Sequence, residues 1–473
     1  MNQLFPVIQG HVAKLVRVWL LVAACALLPL RAADLSDLFA ERIKSCVTVE
    51  FLIENELDRQ PVAVPGVCVD ANGTIILPAS AINARVSIRR LKDFKVYRPN
   101  SATAYRAEYL GQDALTGWHF VRAEEKLHPE LVPLTAWARP GTPPVRLADE
   151  VWSIGLRGKD EDFHPYFLMS RVGLIEPMPQ PTAIAASEIG GPGLPVFNRD
   201  GALVGLTLNS FGQNFLLFSR QERGQPVVLV NVEESSVFLL ADEVLSYLGR
   251  IPENAAGRPL PWLGAFGLEP VDPEVARFLK LENQSALVVS EVLEGSPAEK
   301  AGLKGHDIIV ALEDKPLPRL KPDQVVATYV EREVERRRPG DDLTLTVLRD
   351  NQRLDLKVTL GDEPKILREA DRRYFERLGL TVREFLYGDG IAHRVKRAEQ
   401  AGVIVDFVKA NSPAAMGGLE PDDWVREIDG REIKTYAEAV AALAAIEADK
   451  DRSEFVLLTS RGGETAVRRV KLK

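Results

Sequence analysis

The sequence is poor in the residues that metal centres and nucleic-acid surfaces require. It has three cysteines and six histidines in 473 residues, and Cys46 and Cys68 have no histidine near them, which makes a poor metal site. The chain has fewer basic than acidic residues, with 59 lysines and arginines against 67 aspartates and glutamates, which gives a net charge of −8. No sustained basic patch with interleaved aromatic residues occurs. We therefore expect no cofactor, no metal and no nucleic-acid partner.

Long apolar runs are missing beyond the N-terminus. One apolar run, residues 18–30, follows Lys14 and Arg17 and precedes small alanines. This is the pattern of a secretory signal, and the run is short for a membrane span. We assign residues 1–33 to a signal peptide and expect an exported protein of the periplasm or cell envelope, without a membrane span in the mature chain. An uncleaved anchor, and lipidation at Cys25 in a lipobox-like sequence, stay open as alternatives.

The two remaining cysteines allow two interpretations. Cys46 and Cys68 each lie in a strand-like segment of one β-rich region. An exported compartment is oxidising, so a disulfide between them is allowed. Two buried thiols that pack as small apolar groups are the alternative, since the sequence does not give the distance between the two Cα atoms.

The chain length predicts about three domains. Residues 40–248 contain short runs of valine, isoleucine, leucine and phenylalanine separated by turn residues, which is typical of a β-barrel or sandwich. The end of this region, residues 236–248, has helical periodicity. A linker marked by proline and glycine follows over residues 249–260.

The rest of the chain contains a duplicated unit. Residues 286–312 and 402–428 share a strand, the motif Ser-Pro-Ala, a short helix ending in Gly-Leu, an acidic turn and a second strand. Each copy continues with an amphipathic helix and a hairpin, at residues 325–334 and 343–360 in the first copy and at 437–446 and 455–472 in the second. This order resembles the PDZ domain in its circularly permuted bacterial form. The resemblance implies two α+β domains, over residues 261–363 and 372–473.

Peptide binding is what the PDZ resemblance implies. PDZ domains add an extended C-terminus to an edge strand and hold its carboxylate on backbone N–H groups of a glycine-containing loop. By resemblance this loop is Trp262, Leu263, Gly264 and Ala265 in the first copy and Leu378, Gly379, Leu380 and Thr381 in the second. The implied partners are peptide or protein C-termini and unfolded proteins. A groove filled by the chain itself is the alternative, more so in the second copy, where residues 372–400 are charge-rich.

An export signal, a β-rich domain and two PDZ units in this order resemble the HtrA/Deg family of trypsin-fold serine proteases. Residues 195–205 also resemble the end of the family's nucleophile loop. The implied fold is multidomain: an all-β, trypsin-like double β-barrel over residues 40–248, followed by the two PDZ domains. Family members are commonly trimeric through the barrel, which implies a homo-oligomer or a mixed oligomer with active relatives.

The three catalytic positions do not match the family. A serine protease needs a hydroxyl nucleophile, an imidazole base and a carboxylate that orients the imidazole. The motif spacing puts Ser80 at the histidine position, Gly117 at the aspartate position and Pro192 at the nucleophile. An alternative register puts Ile189 at the nucleophile. Proline also lacks the backbone N–H that this position supplies to the oxyanion hole.

We therefore interpret the chain as an exported, catalytically degenerate HtrA-like protein that acts as a peptide-binding scaffold in envelope protein quality control. The main alternative is an active periplasmic serine endopeptidase with a rearranged site built from His119, Asp113 and Ser187, since triads are defined by geometry rather than sequence order. A third interpretation is a passive envelope-structure protein whose PDZ grooves are occluded.

Overall fold

The computed structural model describes residues 34–137, 144–176, 181–208, 216–218, 226–228, 237–320 and 323–472. The predictions of a signal peptide over residues 1–33 and of lipidation at Cys25 lie outside the described residues. Within the part of the chain that is described, no helix has both the length and the apolar character needed to cross a membrane.

The first part of the described chain forms a closed six-stranded antiparallel barrel, with the strand order β1-β2-β3-β6-β5-β4. A short helix precedes it, and Leu38 of this helix packs against Gly201 of the next barrel. The elements are α1 Leu35–Arg42, β1 Cys46–Glu54, β2 Arg59–Cys68, β3 Thr74–Leu77, β4 Leu91–Tyr97, β5 Tyr105–Gln112 and β6 His119–Ala123.

A second closed six-stranded barrel follows, in the order β10-β11-β14-β9-β8-β7, and the strands β12 and β13 pair with each other in a separate two-stranded sheet. Together the two barrels form the double barrel expected of a trypsin fold. The elements are β7 Glu150–Leu156, β8 Pro165–Glu176, β9 Thr182–Ala185, β10 Pro195–Asn198, β11 Leu203–Thr207, β12 Leu216–Phe218, β13 Pro226–Val228, β14 Val237–Leu240 and α2 Ala241–Tyr247.

The end of the second barrel differs from the sequence prediction. The periodicity of residues 236–248 predicts one helix, but its first part is the strand β14, which pairs with β9 and β11. Phe238 and Leu239 are buried in the barrel. Closing the barrel gives these residues both hydrogen-bond partners and burial, and this tertiary pairing overrides the local pattern. Only Ala241–Tyr247 is helical.

The first PDZ-type domain has a sheet in the order β16-β17-β18-β20-β21, with β19 paired to β18 and a short β15–β22 pair beside it. Val326, Val330 and Val334 of its long helix are buried, as the amphipathic pattern predicts. The elements are β15 Pro261–Trp262, β16 Ala265–Pro270, α3 Pro273–Phe278, β17 Leu287–Val292, α4 Pro297–Lys300, β18 Ile308–Leu312, β19 Lys315–Pro316, α5 Val325–Glu335, β20 Asp342–Arg349, β21 Gln352–Thr359 and β22 Gly361–Asp362.

The second PDZ-type domain repeats this arrangement in the order β23-β24-β25-β26-β28-β29, with β27 paired to β26. Its elements are β23 Arg372–Phe375, β24 Leu380–Glu384, α6 Tyr387–Ala392, β25 Val403–Val408, α7 Pro413–Met416, β26 Trp424–Ile428, β27 Arg431–Glu432, α8 Tyr436–Ala448, β28 Glu454–Arg461 and β29 Glu464–Lys471.

Both predicted C-terminal hairpins are confirmed. Strands β20 and β21 turn at Asp350 and Asn351, and β28 and β29 turn at Gly462 and Gly463. All four turn residues have positive φ, which a tight two-residue hairpin turn requires.

The two cysteines are free thiols, so of the two interpretations that the sequence left open, the structure supports the buried thiols and not the disulfide. Cys46 of β1 pairs with Val67 of β2, which directly precedes Cys68. Because successive residues of a strand face opposite sides, the side chains of Cys46 and Cys68 point to different sides of the sheet. Cys46 packs in the cluster that contains Trp118, whereas Cys68 packs in the cluster that contains Ile75. Burial raises the pKa of Cys46 to about 12 and that of Cys68 to about 11. Both thiols therefore stay protonated, as the buried-thiol alternative expects.

Candidate functional site

The structure brings the three substituted catalytic positions to one place between the barrels. Ser80 lies in the short 3-10 turn Ala79–Ala81 that follows β3. A Cβ added to Gly117 would lie 3.1 Å from the Cβ of Ala79, so the second segment touches the first. A Cβ added to Gly193, directly after Pro192, would lie 2.8 Å from the ring of Pro78. The segments that the family uses for its triad therefore converge here.

The loop that carries Pro192 is held tightly against β11. The N–H of Gly193 donates to the carbonyl of Thr207 at 2.8 Å, and the N–H of Leu194 donates to the Thr207 hydroxyl at 2.7 Å. That hydroxyl in turn donates to the carbonyl of Gly191 at 2.6 Å. The loop is therefore ordered by its backbone, but its central residue is a proline, which has no N–H to offer an oxyanion.

The alternative nucleophile position offers nothing further. Ile189 is wholly buried in the second barrel, and its carbonyl accepts a hydrogen bond from the Ser153 hydroxyl. In either register, the position aligned with the nucleophile carries no hydroxyl, which acyl transfer by a serine protease requires.

His119 is buried within a chain of hydrogen bonds. The Arg368 guanidinium donates to the Tyr109 hydroxyl at 2.9 Å, and that hydroxyl lies 2.9 Å from Nδ1 of His119. The Nε2 atom of His119 lies 3.3 Å from the carbonyl of Ala79, which can only accept, so Nε2 carries the proton. Burial, followed by the charge of Arg368, lowers the pKa of His119 to about 3. An imidazole with so low a pKa is a poor general base.

The other two members of the alternative triad have partners of their own. Asp113 accepts from the N–H and hydroxyl of Thr116, each at 2.9 Å, and from Nε of Arg250 at 3.1 Å. The Ser187 hydroxyl lies 2.8 Å from that of Ser170. Across the described residues, no hydrogen bond joins any two of Ser187, Asp113 and His119.

The loop of the first PDZ-type domain has the geometry that its glycine predicts. Gly264 has φ of +83°, and a Cβ there would lie 2.1 Å from the Cβ of Ser296. The carbonyls of Leu263 and Gly264 accept from Ala298 and Leu293, both at 2.9 Å, so they face their own domain. Neither Leu263 nor Gly264 has an acceptor for its N–H among the residues that the structure describes.

The strand that follows this loop is an edge strand. Ala265–Pro270 (β16) pairs with β17 along one side, and no described strand pairs with its other side. At the N-terminal end of the loop, the Trp262 ring contacts the ring of Tyr387 edge-to-face, with the centroids 5.6 Å apart. The arrangement can add an extended peptide along β16 by strand pairing.

The loop of the second domain differs, because the chain itself fills the groove there, which is the alternative that the sequence left open for this copy. Gly379 has φ of +67° and lies on Ser412 as Gly264 lies on Ser296. Its N–H, however, donates to the carbonyl of Phe375 at 2.9 Å. Strand β24, which begins at Leu380 and includes Thr381, is paired by β25 on one side and by β23 on the other. A peptide cannot add to this strand unless β23 leaves.

Two arginines of this region were not predicted from the sequence. Arg368 reaches Tyr109 and Gln112 of the first barrel from the segment between the two PDZ-type domains. Arg332, on helix α5, lines the cavity beside Ser80. No local pattern marks either residue, because each lies against barrel residues that are more than 90 positions away in the chain.

Comparison with known proteins gives matches to one domain family, to curated relatives and to solved structures. The PDZ domain family matches residues 268–360 and again residues 398–451. A probable periplasmic serine endoprotease, DegP-like, of Ectopseudomonas mendocina is 29% identical over 281 residues, which are 58% of this chain and 53% of the relative. The periplasmic serine endoprotease DegP of Escherichia coli is 26% identical over 270 residues, 57% of this chain and 49% of DegP. The chain thus spans about half the length of these relatives.

Solved structures of similar fold include the HtrA-type protease AlgW with a decapeptide, with a TM-score of 0.50 and 16% identity over 70% of this chain and 99% of AlgW. AlgW with a tripeptide gives a TM-score of 0.50 and 18% identity over 70% of this chain and 98% of that structure. At this identity the likeness shows the fold alone.

Proposed function

Because the chain belongs to the HtrA/Deg-like family, with a trypsin-like double barrel followed by PDZ domains, we propose that it is an exported, non-catalytic scaffold that binds peptide or protein C-termini. The relatives are named periplasmic serine endoproteases. In this proposal the chain shares their compartment and serves envelope protein quality control, but it does not share their reaction.

The residues at the three converging positions carry the non-catalytic half of the proposal. Ser80 cannot accept a proton near neutral pH, Gly117 has no carboxylate, and Pro192 has neither a hydroxyl nor an N–H. Loss of one oxyanion-hole donor alone costs about 10²–10³ in rate. The ring of His119 is already hydrogen-bonded on both nitrogens, so it does not replace the missing base.

The open edge of β16 supports the binding half. The N–H groups of Leu263 and Gly264 suit a terminal carboxylate, and the side of β16 away from β17 suits the backbone of an extended peptide. We place the peptide site at Trp262, Leu263, Gly264 and Ala265. The loop Leu378, Gly379, Leu380 and Thr381 binds only in a form of the second domain from which β23 has been displaced.

Assembly is the remaining part of the proposal. The barrels would support a homo-oligomer, a trimer by resemblance to the family, or a mixed oligomer with active relatives. In either assembly the chain adds peptide-binding edges without adding a protease site.

The test is degradation of an unfolded model protein by the purified chain from residue 34 onward, with an active HtrA protease as the positive control. We expect no cleavage. The chain is run beside a Ser80→Ala, Ser187→Ala double variant and a His119→Gln variant, with circular dichroism to check that each is folded. Cleavage by the wild type that the folded variants lack would mean that the chain is an endopeptidase with a rearranged site.

A further inference from the structure

A cavity of about 270 Å³ lies between the two barrels and the first PDZ-type domain. Ser80 and Gly193 line it, so it opens beside the catalytic positions. Its remaining walls are mainly apolar and include Val67, Ile76, Leu115, Trp118, Leu206 and Leu239. The cavity is therefore suited to an apolar group, and it is distinct from the groove along β16.

Among the described residues that line this cavity, Arg332 alone carries a charge. It belongs to helix α5, whose Val326 and Val330 face the core of the PDZ-type domain. Successive helix residues are about 100° apart, so position 332 lies on the side of the helix opposite to these valines. The side chain thus leaves its own domain and enters the space at the barrels.

Two nitrogens of the Arg332 guanidinium are buried without a hydrogen-bond partner among the described residues. The residue is 9% exposed, and no group in the described part of the chain accepts a hydrogen bond from its buried Nε and Nη2 atoms. Arginine stays protonated in proteins, so it cannot relieve the cost of burial by losing its charge. The charge of Arg332 opposes the rise in the pKa of Glu335, one turn along the helix, but no hydrogen bond or ion pair joins the two residues. The site thus supplies a cation and buried donors without an acceptor.

We propose that this cavity binds a carboxylate carried on a small apolar group, with the Arg332 guanidinium as its counter-ion. A carboxylate matches the planar fork of a guanidinium with two parallel hydrogen bonds. The Ser80 hydroxyl at the exposed rim supplies a further donor, whereas the Thr207 hydroxyl is already bonded to Gly191. The apolar walls receive the body of the ligand.

The size of the cavity limits the ligand. Pockets for drug-sized molecules are roughly 300–1,000 Å³, so this cavity holds a ligand at or below the small end of that range. A branched short-chain carboxylic acid fits this description, and so does the last residue of a peptide with an apolar side chain. Both sources present the same chemistry to Arg332.

The test is calorimetric titration of the folded chain from residue 34 onward with 4-methylpentanoate and with its neutral analogue 4-methylpentanamide. We expect the acid to bind and the amide to bind at least tenfold more weakly. Arg332→Gln should weaken binding of the acid at least tenfold, whereas Arg338→Gln, which removes an exposed arginine near the end of the same helix, should leave it unchanged. No binding of the acid, or equal binding by the wild type and Arg332→Gln, overturns the proposal.

A second variant guards against misfolding of the first. Leu206→Trp fills the cavity and keeps Arg332, and we expect it to lose the acid while retaining the circular dichroism spectrum of the wild type. Retained binding by a folded Leu206→Trp chain contradicts the proposed location.

The source of the carboxylate is resolved by adding the peptide Ala-Ala-Ala-Leu, with a free C-terminus, before the acid. If the peptide displaces the acid, and Arg332→Gln abolishes this displacement, the natural ligand of the site is a peptide C-terminus. Unchanged binding of the acid assigns it to free small acids. A chain that binds the peptide but not the acid, with peptide affinity unaltered by Arg332→Gln, leaves the groove along β16 intact and overturns this inference alone.

Discussion

The two PDZ-type domains share the geometry of the loop and differ in what lies beside it. Gly264 and Gly379 both have positive φ, and a Cβ at either would lie 2.1 or 2.2 Å from the Cβ of the serine that caps the next short helix. Yet β16 has a described neighbour along one edge, whereas β24 has one along both. Two copies of one unit therefore present different surfaces to a ligand.

The residues just before each loop explain the difference. In the first copy, Pro259 and Pro261 have no N–H to give to a ladder, and the short strand β15 pairs with β22 instead of β16. In the second copy, Arg372–Phe375 contains no proline, and it folds back along β24 as a hairpin. The composition of the segment preceding the loop thus decides whether the edge is left for a peptide.

The two domains also dock differently. The second domain and the segment before it contact the first barrel through hydrogen bonds: Arg368 donates to Tyr109, and the Thr381 hydroxyl donates to Glu56 at 2.9 Å, while Nε of Arg368 is buried without a partner among the described residues. The first domain presents Arg332 to the barrels, and the Nε and Nη2 atoms of this residue have no partner within the described ranges. Both terminal nitrogens of Arg368 thus have partners, whereas Nε and Nη2 of Arg332 have none among the described residues.

The largest effect should come from displacing strand β23 from the edge of β24 in the second domain. Phe375 of β23 is wholly buried in one cluster with Leu443 and Ile446 of helix α8. We expect Phe375→Ala to cost about 3–5 kcal/mol of stability in this domain, because it leaves a cavity. If the comparison is correct, the variant should also gain a second peptide site, which titration measures as a change from one site to two. Phe278→Ala, at an exposed phenylalanine, is the control.

Arg368 tests the docking of the second domain. Arg368→Ala removes the donor to Tyr109 and Gln112 and leaves polar groups unpaired in a buried contact, at a cost of about 1–3 kcal/mol. We expect faster amide hydrogen exchange in strand β5, Tyr105–Gln112, together with a lower melting temperature. Arg353→Ala, which removes an exposed arginine, is the control and should change neither. Unchanged exchange in β5 would mean that Arg368 does not hold this interface.

The sequence predicts features that depend on neighbouring residues. It predicts the buried valine face of α5, the hairpin turns and the spacing that brings Ser80, Gly117 and Pro192 together, because each follows from local periodicity or a motif. It leaves two alternatives for the second groove, an open edge or one filled by the chain, and does not identify β23 as the strand that fills it, because a hairpin and an open edge have similar local composition. The bond between Arg368 and Tyr109 spans 259 positions, and no local signal encodes it.

A smaller effect should separate the two loops directly. Alanine at position 264 or 379 forces a Cβ into a positive-φ backbone, a strain of about 1–3 kcal/mol. We expect Gly264→Ala to weaken binding of a peptide with a free C-terminus about tenfold or more, which corresponds to about 1.4 kcal/mol. Gly379→Ala should lower the melting temperature without changing the affinity. Fluorescence anisotropy with a labelled peptide and its amidated form measures both, and equal losses of affinity in the two variants would contradict the comparison.

The smallest effect concerns pH at the first domain's interface. Burial raises the pKa of Glu335 from its ordinary 4.5 to about 7, against the opposing charge of Arg332 and with Glu331, Asp113 and Glu363 adding to the rise. Because the folded pKa is the higher one, the contribution of Glu335 to stability is complete below pH 4.5 and is lost as the pH rises through about 7. Glu335→Gln should therefore raise the melting temperature at pH 8 by about 2–4 °C and change little at pH 4.5. Glu464→Gln, at an exposed glutamate of the second domain, should show no such dependence. An equal shift of the melting temperature at both pH values would mean that the effect of Glu335→Gln does not depend on ionisation of Glu335. The docking of the first domain would then be independent of pH.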